Sequence, residues 1–452
     1  MKIILRNIQR ILFKILILLR LHTFLAFLYS MFMEELTDNG NLARPSKRAD
    51  NNKLTILILS ARAFRKDIDC IVNTNEFRLL RMSEPWQARL SSQFLYCSGN
   101  NQKYWAQSNF KYKKEWSFLQ DFLYVFLKKL YEQIVVDCVI SPHPRYVFDM
   151  EWGVVSTQLG VPHILISRDS QIASSPFLLN KMKHSFRSDI PKFEGKHIIV
   201  QSELDIPVYV ESGYCRKREI SSLGCPRMDS FVRKSEENKC ESVNIRKKVV
   251  FMPFSWNWFF EKSDLFSYIC EVHLFFVHFA LRYPEIDVVI KAKPKQPSSQ
   301  RKTVLLKPLE DSSVEIEKIP NLTIREDLYL NDLFFEADVV CGLNTSALLE
   351  AAVIGLPIII PYFKALQCPK YEERVFYRDA YDLFDIAESL EDLESLILKR
   401  LQNPVIEKDI MEGRKALFEK FISSVKGDAT EKYVTLIKEI VNKQNRNILV
   451  NR

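Results

Sequence analysis

The sequence predicts an α/β protein with two doubly wound parallel-sheet domains that face a cleft, preceded by a basic amphipathic helix. Three observations predict this fold class. The 452 residues exceed the size at which a single hydrophobic core keeps growing. Short, uninterrupted apolar runs alternate along the chain with longer helical patterns. Apolar residues make up 47% of the total, which is enough for two cores.

The first domain is predicted over residues 54–235. It opens with Leu54–Ser60, a continuous apolar run of the kind that is buried on both faces of a parallel sheet. Further strands are predicted at 93–97, 134–141, 163–166, 197–201 and 219–224, and helices at 116–132, 151–159 and 205–212. This alternation indicates parallel strands joined by helical crossovers.

A charged, Asn-rich linker over residues 236–248 leads to the second domain, predicted over 249–410. Its strands are predicted at 249–253, 287–291, 322–325, 338–341 and 357–361, with a long helix over 265–282. Residues 411–452 have a helical pattern, and we expect them to pack back on the first domain.

Residues 1–35 are predicted to form a basic apolar helix, followed by a linker over 36–53. Residues 1–53 contain nine Lys and Arg and four Asp and Glu, which gives this segment a net charge of +5. The net charge of the whole chain is +8, so the remainder carries +3. The interspersed basic residues are unfavourable in a spanning helix and fit a helix that lies on an anionic membrane surface. A helix packed on the domain like any other is the alternative. The predicted location is cytoplasmic, peripheral at the inner face of the plasma membrane.

Several function classes are excluded by composition and motifs. The basic excess lies in the leader rather than in a stripe across a domain, so no nucleic-acid partner is expected. Nine cysteines without CxxC or metal-ligand spacing are read as buried, reduced thiols, and no metal site is expected. The eleven glycines form neither a GxGxxG nor a GxxxxGK[ST] motif, which argues against dehydrogenases and P-loop kinases.

The segment Ala337–Pro361 predicts a nucleotide site. A buried strand ends at Gly342, and the polar residues Asn344, Thr345 and Ser346 open a helix, where backbone amides favour a phosphate. Glu350 follows Ser346 by one turn and is placed to accept hydrogen bonds from a ribose hydroxyl pair. The alternative is a plain helix cap followed by a solvated glutamate.

Three stretches resemble the GT-B class of glycosyltransferases, in particular those of bacterial capsule and lipopolysaccharide biosynthesis. They are Ser222–Asp229 with its G-x-P-R-x-D turn, Val288–Pro294, and Asp338–Pro361. The layout is similar to Kdo-type transferases and CDP-glycerol glycerophosphotransferases. The resemblance implies two Rossmann-like domains, a nucleotide-sugar donor as substrate, no cofactor and metal-independent transfer. One departure is Lys293, which stands where this class often has histidine.

Further donor-site candidates follow the strands of the second domain. Lys291 and Lys293 end a buried strand two residues apart, where ammonium groups would neutralise a leaving phosphate; a solvated strand end is the alternative. Ser255 follows the first strand of that domain and is expected to approach the diphosphate. For Arg227 two roles are open, a clamp on phosphate or an ion pair with Asp229.

The catalytic base is expected in the first domain, where an acceptor hydroxyl must lose its proton. His143 in Ser141-Pro-His-Pro directly follows a strand and is the first candidate; Asp169 is its rival. Arg62 and Arg65 are expected to hold an anionic acceptor. Asp67-Ile-Asp69 matches a DxD metal motif, but we interpret it as a solvated turn.

The predicted function is transfer of a sugar from a nucleotide-sugar donor to a surface-polysaccharide or lipid-linked acceptor. Three alternatives are left open by the sequence: a CDP-polyol phosphotransferase, a nucleotide-sugar epimerase, and a non-catalytic, membrane-bound partner in polysaccharide assembly.

Overall fold

A computed structural model describes residues 15–37, 42–43, 53–60, 64–82, 113–144, 146–167, 175–237, 246–253, 264–292, 315–326 and 328–450, with the single positions 11, 13, 86, 90 and 94. The chain divides into two compact units. Unit 1 comprises residues 1–171, 182–229 and 427–452, and unit 2 comprises 172–181 and 230–426.

Unit 1 is built on an eight-stranded sheet. Its strands are β1 (Met33–Leu36), β2 (Leu42–Ala43), β3 (Leu54–Ile58), β4 (Phe77–Met82), β5 (Cys138–Ser141), β6 (His163–Ile166), β7 (His197–Val200) and β8 (Ile220–Ser222). They lie in the order β2-β1-β4-β3-β5-β6-β7-β8. The strands from β4 to β8 are parallel, whereas β1 pairs antiparallel with both β2 and β4.

Helices cover this sheet and connect its strands. They are α1 (His22–Phe32), α2 (Arg65–Val72), α3 (Lys113–Gln133), α4 (Val147–Gln158), α5 (Pro176–Asp189), which begins in unit 2, α6 (Asp205–Glu211), and α7 (Pro226–Glu237), which leads into unit 2. The central strands β5 and β6 are buried along their whole length. Continuous apolar strands of this kind require helices on both faces of the sheet.

The C-terminal helix belongs to the core of unit 1. This helix, Ala429–Val450 (called α14 in chain order), places Tyr433, Val434, Ile437 and Val441 in the cluster formed by strands β3 to β7 and helix α2. The hydroxyl of Tyr433 donates to the Gly224 carbonyl at 3.0 Å. The last residues described therefore complete a core that begins near residue 54.

Unit 2 has a six-stranded, fully parallel sheet. Its strands are β9 (Lys248–Met252), β10 (Asp287–Lys291), β11 (Leu322–Arg325), β12 (Val339–Gly342), β13 (Ile358–Pro361) and β14 (Asp385–Ala387), in the order β11-β10-β9-β12-β13-β14. Its helices are α8 (Asp264–Arg282), α9 (Leu330–Glu336), α10 (Ala347–Val353), α11 (Pro369–Glu372), α12 (Leu390–Gln402) and α13 (Lys408–Phe421).

A buried arginine attaches α13 to the rest of unit 2. Arg414 is 1% exposed and donates to the carbonyl oxygens of Leu383 and Leu356 at 2.8 and 2.9 Å. Burial lowers the pKa of Arg414 to about 10, so the guanidinium stays charged at neutral pH. Charged donors make strong hydrogen bonds, and this one fixes two loops to one helix.

The predicted α/β class with two parallel-sheet domains is confirmed, although the sheet of unit 1 also carries the antiparallel strand β1 at one side. The strands predicted at 163–166, 287–291 and 322–325 match the structure residue for residue. Strand β4 was not predicted, and of the strand predicted at 93–97 the structure describes only Phe94, which is helical. Residues 42–43, inside the predicted linker, form β2.

The leader differs from a free amphipathic helix. Helix α1 packs along α3 and continues directly into strand β1, where Glu34 and Glu35 pair with Arg81 and Arg78 of β4 at 2.7 and 3.0 Å. Among the described residues, no helix combines the length and the apolar character needed to cross a membrane.

Gly153 allows α4 to lie directly on a buried histidine. A Cβ atom at this position would overlap the imidazole ring of His163, which is 0% exposed and within 2.7 Å of the Ser141 hydroxyl. We expect Gly153→Ala to lower the free energy of unfolding by about 1–3 kcal/mol, because the imidazole ring in a packed core has nowhere to move. Chemical denaturation followed by circular dichroism measures the loss.

Gly413→Ala is the matched control for this prediction. It is also a helix glycine, but its added methyl meets only the end of the Leu383 side chain, which can rotate away. Alanine also favours a helix over glycine by about 1 kcal/mol. Equal destabilisation by the two variants would contradict the close packing of α4 on His163.

Glu151 makes the stability of unit 1 dependent on pH. Burial raises the pKa of this carboxyl to about 8, and Gln120 donates to it at 2.8 Å. Between the ordinary value of 4.5 and about 8, the unfolded chain is ionised while the folded one stays protonated. Folding stability therefore falls as pH rises through this window, by up to about 1.4 kcal/mol per pH unit.

We expect Glu151→Gln to remove this dependence. The variant should match the wild type near pH 4.5 and exceed it at pH 8, as measured by denaturation at a series of pH values. Glu132→Gln, an exposed glutamate on the neighbouring α3, should leave the profile unchanged. Parallel profiles for the wild type and Glu151→Gln would show that Glu151 ionises normally in the fold.

Candidate functional site

Each parallel sheet has one position where the strand order reverses. In unit 1 it lies between β3 and β5, and in unit 2 between β9 and β12. In open α/β sheets, ligands bind outside the carboxyl ends of the strands at this reversal, because the flanking loops leave in opposite directions.

In unit 2, the end of β12 approaches β9 very closely. Gly342 pairs with Met252, and a Cβ atom on Gly342 would lie 2.9 Å from the Met252 Cβ. Only glycine fits this separation without displacing one of the strands. The following loop, residues 343–346, therefore starts directly at the strand reversal.

Asn344 shapes this loop from within. Its backbone has a left-handed φ of 52°, which asparagine tolerates better than most residues. Its side chain donates to the Arg374 carbonyl at 3.1 Å and accepts from the Phe376 amide at 2.8 Å. The predicted phosphate contact thus has a clear second role, since both ends of its amide hold the loop to residues 374–376.

Thr345 and Ser346 begin α10 as predicted, and both are half-buried. The Ala347 amide donates to the Thr345 hydroxyl at 3.3 Å, and Ser346 occupies the N-cap position without a capping bond from its side chain. The helix is only seven residues long. The hydroxyl groups of both residues therefore border the strand reversal at the start of a short, buried helix.

Glu350 is not the solvated residue of the alternative interpretation. It is 8% exposed and lies in the first turn of α10. Burial raises the pKa of the neighbouring Tyr377 well above its ordinary value, and the Glu350 charge raises it further. The strand reversal of unit 2 thus has a buried carboxyl group next to a tyrosine that remains protonated.

Lys291 ends β10, which pairs with β9 on the side away from this reversal. Its side chain is buried at 7% exposure, and Nζ donates to the carbonyls of Ala292 and Glu326 at 2.8 and 3.1 Å. A solvated strand end is therefore wrong for this residue. The ammonium is held by the strand-end backbone of β10 and β11. Lys293 and Ser255 lie outside the described residues, and their roles stay predictions.

In unit 1, polar residues follow the ends of β3 and β5, and two of them are bonded to each other. Ser60 follows β3 with a left-handed φ of 46°, and its hydroxyl donates to Asp149 Oδ1 at 2.9 Å. Asp149 is 1% exposed in the first turn of α4. His143 lies in the loop between β5 and α4, half-buried, with its ring centroid 5.4 Å from that of Tyr146.

Sequence reasoning missed Ser60 and Asp149. The predicted helix began at residue 151, but α4 begins at Val147, which places Asp149 in its first turn. An acidic residue shortly after a strand and a Pro-containing loop is a helix-start signal that was available. Left-handed serines at a strand end are uncommon and concentrate at functional positions.

The other acceptor-side candidates are only partly described. Arg65 begins α2 with a 64% exposed side chain, 3.7 Å from Asp69. Arg62 and Asp169 lie outside the described residues. The roles of Arg65, Arg62 and Asp169 stay predictions.

The structure corrects the interpretation of Asp67-Ile-Asp69 as a solvated turn. Both aspartates lie in helix α2, and Asp67 is 4% exposed. The Arg227 guanidinium donates to Asp67 Oδ2 at 2.9 Å, and the Arg227 amide donates to Oδ1 at 3.2 Å. Of the two roles left open for Arg227, the geometry supports the structural one, with Asp67 as an ion-pair partner.

Asp229 in the same turn caps the C-terminal helix. Its carboxylate accepts from the Ala429 amide at 3.1 Å, and from the Thr430 amide and hydroxyl at 2.7 and 2.6 Å. Carboxylates at a helix N-terminus satisfy unpaired amides and complement the helix dipole. The G-x-P-R-x-D turn thus joins α2, α7 and α14 inside unit 1.

No group of three His, Cys, Asp or Glu side chains able to hold a metal ion occurs among the described residues. The cysteines described are free thiols, and burial raises the pKa of Cys70 to about 12. A thiol with so high a pKa is a poor nucleophile at neutral pH.

No protein-family model matches the chain, and no curated protein matches it. Solved structures do resemble it. The UDP-GlcNAc 2-epimerase from Neisseria meningitidis bound to UDP-GlcNAc is 12% identical, with a TM-score of 0.45 over 85% of this chain and 100% of that one.

Two enzymes of other activities resemble the chain to the same degree. The α,α-trehalose 6-phosphate synthase from Burkholderia multivorans is 10% identical, with a TM-score of 0.46 over 88% of this chain and 98% of that one. The glycotransferase of kitacinnamycin is 12% identical, with a TM-score of 0.43 over 86% and 99%.

The Asp67–Arg227 pair predicts strong coupling in a double-mutant cycle. Asp67→Leu alone leaves the half-buried Arg227 guanidinium without this partner. We therefore expect the single variant to lose more free energy of unfolding than the double variant Asp67→Leu with Arg227→Met. The coupling should be about 1–3 kcal/mol, since Asp67 is buried and Arg227 is 25% exposed. Denaturant unfolding of the four proteins measures it.

The surface pair Asp428–Lys432, at 2.8 Å on one helix turn, is the control and should couple by no more than about 0.5 kcal/mol. Equal coupling in both cycles would argue against a folding role for Arg227. If Arg227→Met also abolished nucleotide binding, a phosphate role would be supported instead.

Proposed function

We propose that this chain is a glycosyltransferase that moves a sugar from a nucleotide-sugar donor to a surface-polysaccharide or lipid-linked acceptor at the inner face of the plasma membrane. One observation carries the proposal. In unit 2, the strand reversal between β9 and β12 combines a Gly-ended strand, a polar loop and the buried carboxyl group of Glu350. Nucleotides bind at this position in sheets of this strand order.

Glu350 would accept hydrogen bonds from the two adjacent hydroxyls of the ribose. A carboxylate offers two acceptor oxygens, and hydrogen bonds to a charged group are worth about 1.5–3 kcal/mol each. Thr345 and Ser346 at the loop, with Ser255, Lys291 and Lys293 after the neighbouring strands, would contact the diphosphate. Asn344 contributes by holding the loop in place.

Transfer requires three changes at the sugar. The base takes the proton of the acceptor hydroxyl, the acceptor oxygen bonds to the anomeric carbon, and the bond from that carbon to the phosphate oxygen breaks. The nucleoside diphosphate leaves with the electron pair. His143 is the proposed base because it lies after β5, beside the strand reversal of unit 1, with Asp169 as its rival. Arg62 and Arg65 would hold an anionic acceptor.

Nucleotide binding is tested by thermal shift with UDP, GDP, CDP and CMP. A nucleotide at 100 times its Kd should raise the melting temperature by roughly 5–10 °C. Glu350→Gln keeps the shape of the side chain but loses its charge, so we expect at least about tenfold weaker binding and a smaller shift. Glu391→Gln, an exposed glutamate in the first turn of α12, should bind like the wild type.

The variant His143→Gln distinguishes the transfer step from nucleotide binding. This variant should keep the nucleotide-induced shift and lose transfer to acceptor. Release of CMP would indicate a polyol phosphotransferase, and conversion of the nucleotide-sugar without any acceptor an epimerase. A wild-type protein whose melting temperature responds to none of the nucleotides or their sugars would contradict the proposal.

A further inference from the structure

Most exposed large hydrophobic side chains of the described residues lie in the leader or on the helix that packs against it. Twelve of the eighteen lie either in segment 11–32 or on α3, which packs against α1. Single exposed apolar residues are normal on protein surfaces, but a contiguous patch marks an interaction surface. We call this surface, formed by residues 18–32 and the exposed side of α3, the α1 ridge.

Helix α1 is apolar on two opposite sides. Leu25, Ala26 and Tyr29 are 0% exposed and face the unit, whereas Phe24, Phe27 and Met31 are 49%, 46% and 54% exposed. The spacing of three and four residues puts the exposed three on one helix stripe. The α1 ridge is therefore apolar where α1 has no protein against it among the described residues.

The buried side fixes how α1 is oriented. The Tyr29 hydroxyl donates to the Trp86 carbonyl at 2.8 Å, and the Tyr29 ring lies 5.0 Å from Phe126 of α3. The Phe32 ring stacks on Trp86 at 4.2 Å. These contacts hold the exposed stripe in a defined direction.

The sequence that leads into the apolar stripe is basic. Residues 1–33 contain five Lys and Arg and no Asp or Glu. A groove beside α1 and α3 is lined by Arg20, Leu21, Phe24, Phe27, Val125 and Lys129. Lys129 is paired with Glu132 at 2.7 Å, so Arg20 and the basic sequence of the leader supply the positive charge. An apolar surface with this charge matches the acyl chains and the anionic headgroups of a phospholipid surface.

We propose that the α1 ridge docks on an anionic phospholipid bilayer, with Phe24, Phe27 and Met31 inserted at the boundary of headgroups and acyl chains. A second copy of the chain fits less well, because a two-fold contact through the ridge would bring the same Arg20-bearing surface of both copies together. The inference deepens the proposed function, on which it rests only for the lipid-linked nature of the acceptor.

The test is flotation of the full chain with vesicles of phosphatidylcholine, with and without about a third phosphatidylglycerol. We expect binding to the anionic vesicles that weakens with salt. Phe24→Gln with Phe27→Gln should bind at least about tenfold more weakly, because two aromatic side chains lose their apolar contact. Arg20→Gln should weaken binding about fivefold.

Leu281→Gln with Val405→Gln is the matched control, since these side chains are 50% and 66% exposed in unit 2. It should float like the wild type. Equal flotation by the Phe24/Phe27 variant, or no flotation of the wild type, would overturn the proposal. A wild-type dimer that the Phe24/Phe27 variant dissociates, without vesicle binding, would assign the ridge to a second copy.

Failure of this inference can be told apart from failure of the proposed function. The Phe24/Phe27 variant should keep the nucleotide-induced thermal shift, and Glu350→Gln should keep vesicle binding. Loss of both properties in either variant would point to misfolding, which circular dichroism checks directly.

Discussion

Parallel strands buried on both faces need helices on both sides of the sheet, and this constraint organises each unit. Strands β12 and β13 are buried along their whole length, as are β5 and β6. Since crossovers between parallel strands are right-handed, a chain can cover both faces only by winding outward in both directions from an inner strand. That winding leaves one strand reversal in each sheet. The positions of the candidate functional loops thus follow from burial.

The G-x-P-R-x-D turn shows how a motif can serve folding instead of ligand binding. Arg227 is held by Asp67, and Asp229 caps a helix that begins some 200 residues later. Burying charges is unfavourable unless they are paired and hydrogen-bonded, and here the carboxylates accept several bonds each. This arrangement ties α14 to unit 1, where its apolar side chains complete the core.

The local pattern of apolar residues predicted the strands with an apolar run. It missed a strand whose charged side chains are paired with residues distant in sequence. Strand β4, with the sequence FRLLRM, was not predicted because Arg78 and Arg81 interrupt its apolar run. Their charges are matched by Glu35 and Glu34 of β1, about 45 residues earlier, which no local window contains. The same limit applies at the site: the loop at Asn344 was predicted, but its attachment to residues 374–376 was not.

The pairing of β1 with β4 has a mechanical consequence for the α1 ridge. Helix α1 runs without a linker into β1, which pairs with β4, which in turn pairs with β3. Ser60 follows β3 and is bonded to Asp149. Each of these connections is a strand pairing or a buried hydrogen bond, so the α1 ridge is rigidly connected to the strand reversal of unit 1. A surface held by α1 would therefore keep a fixed distance from the loop of His143 and the first turn of α4 with Asp149, unlike an anchor on a flexible linker.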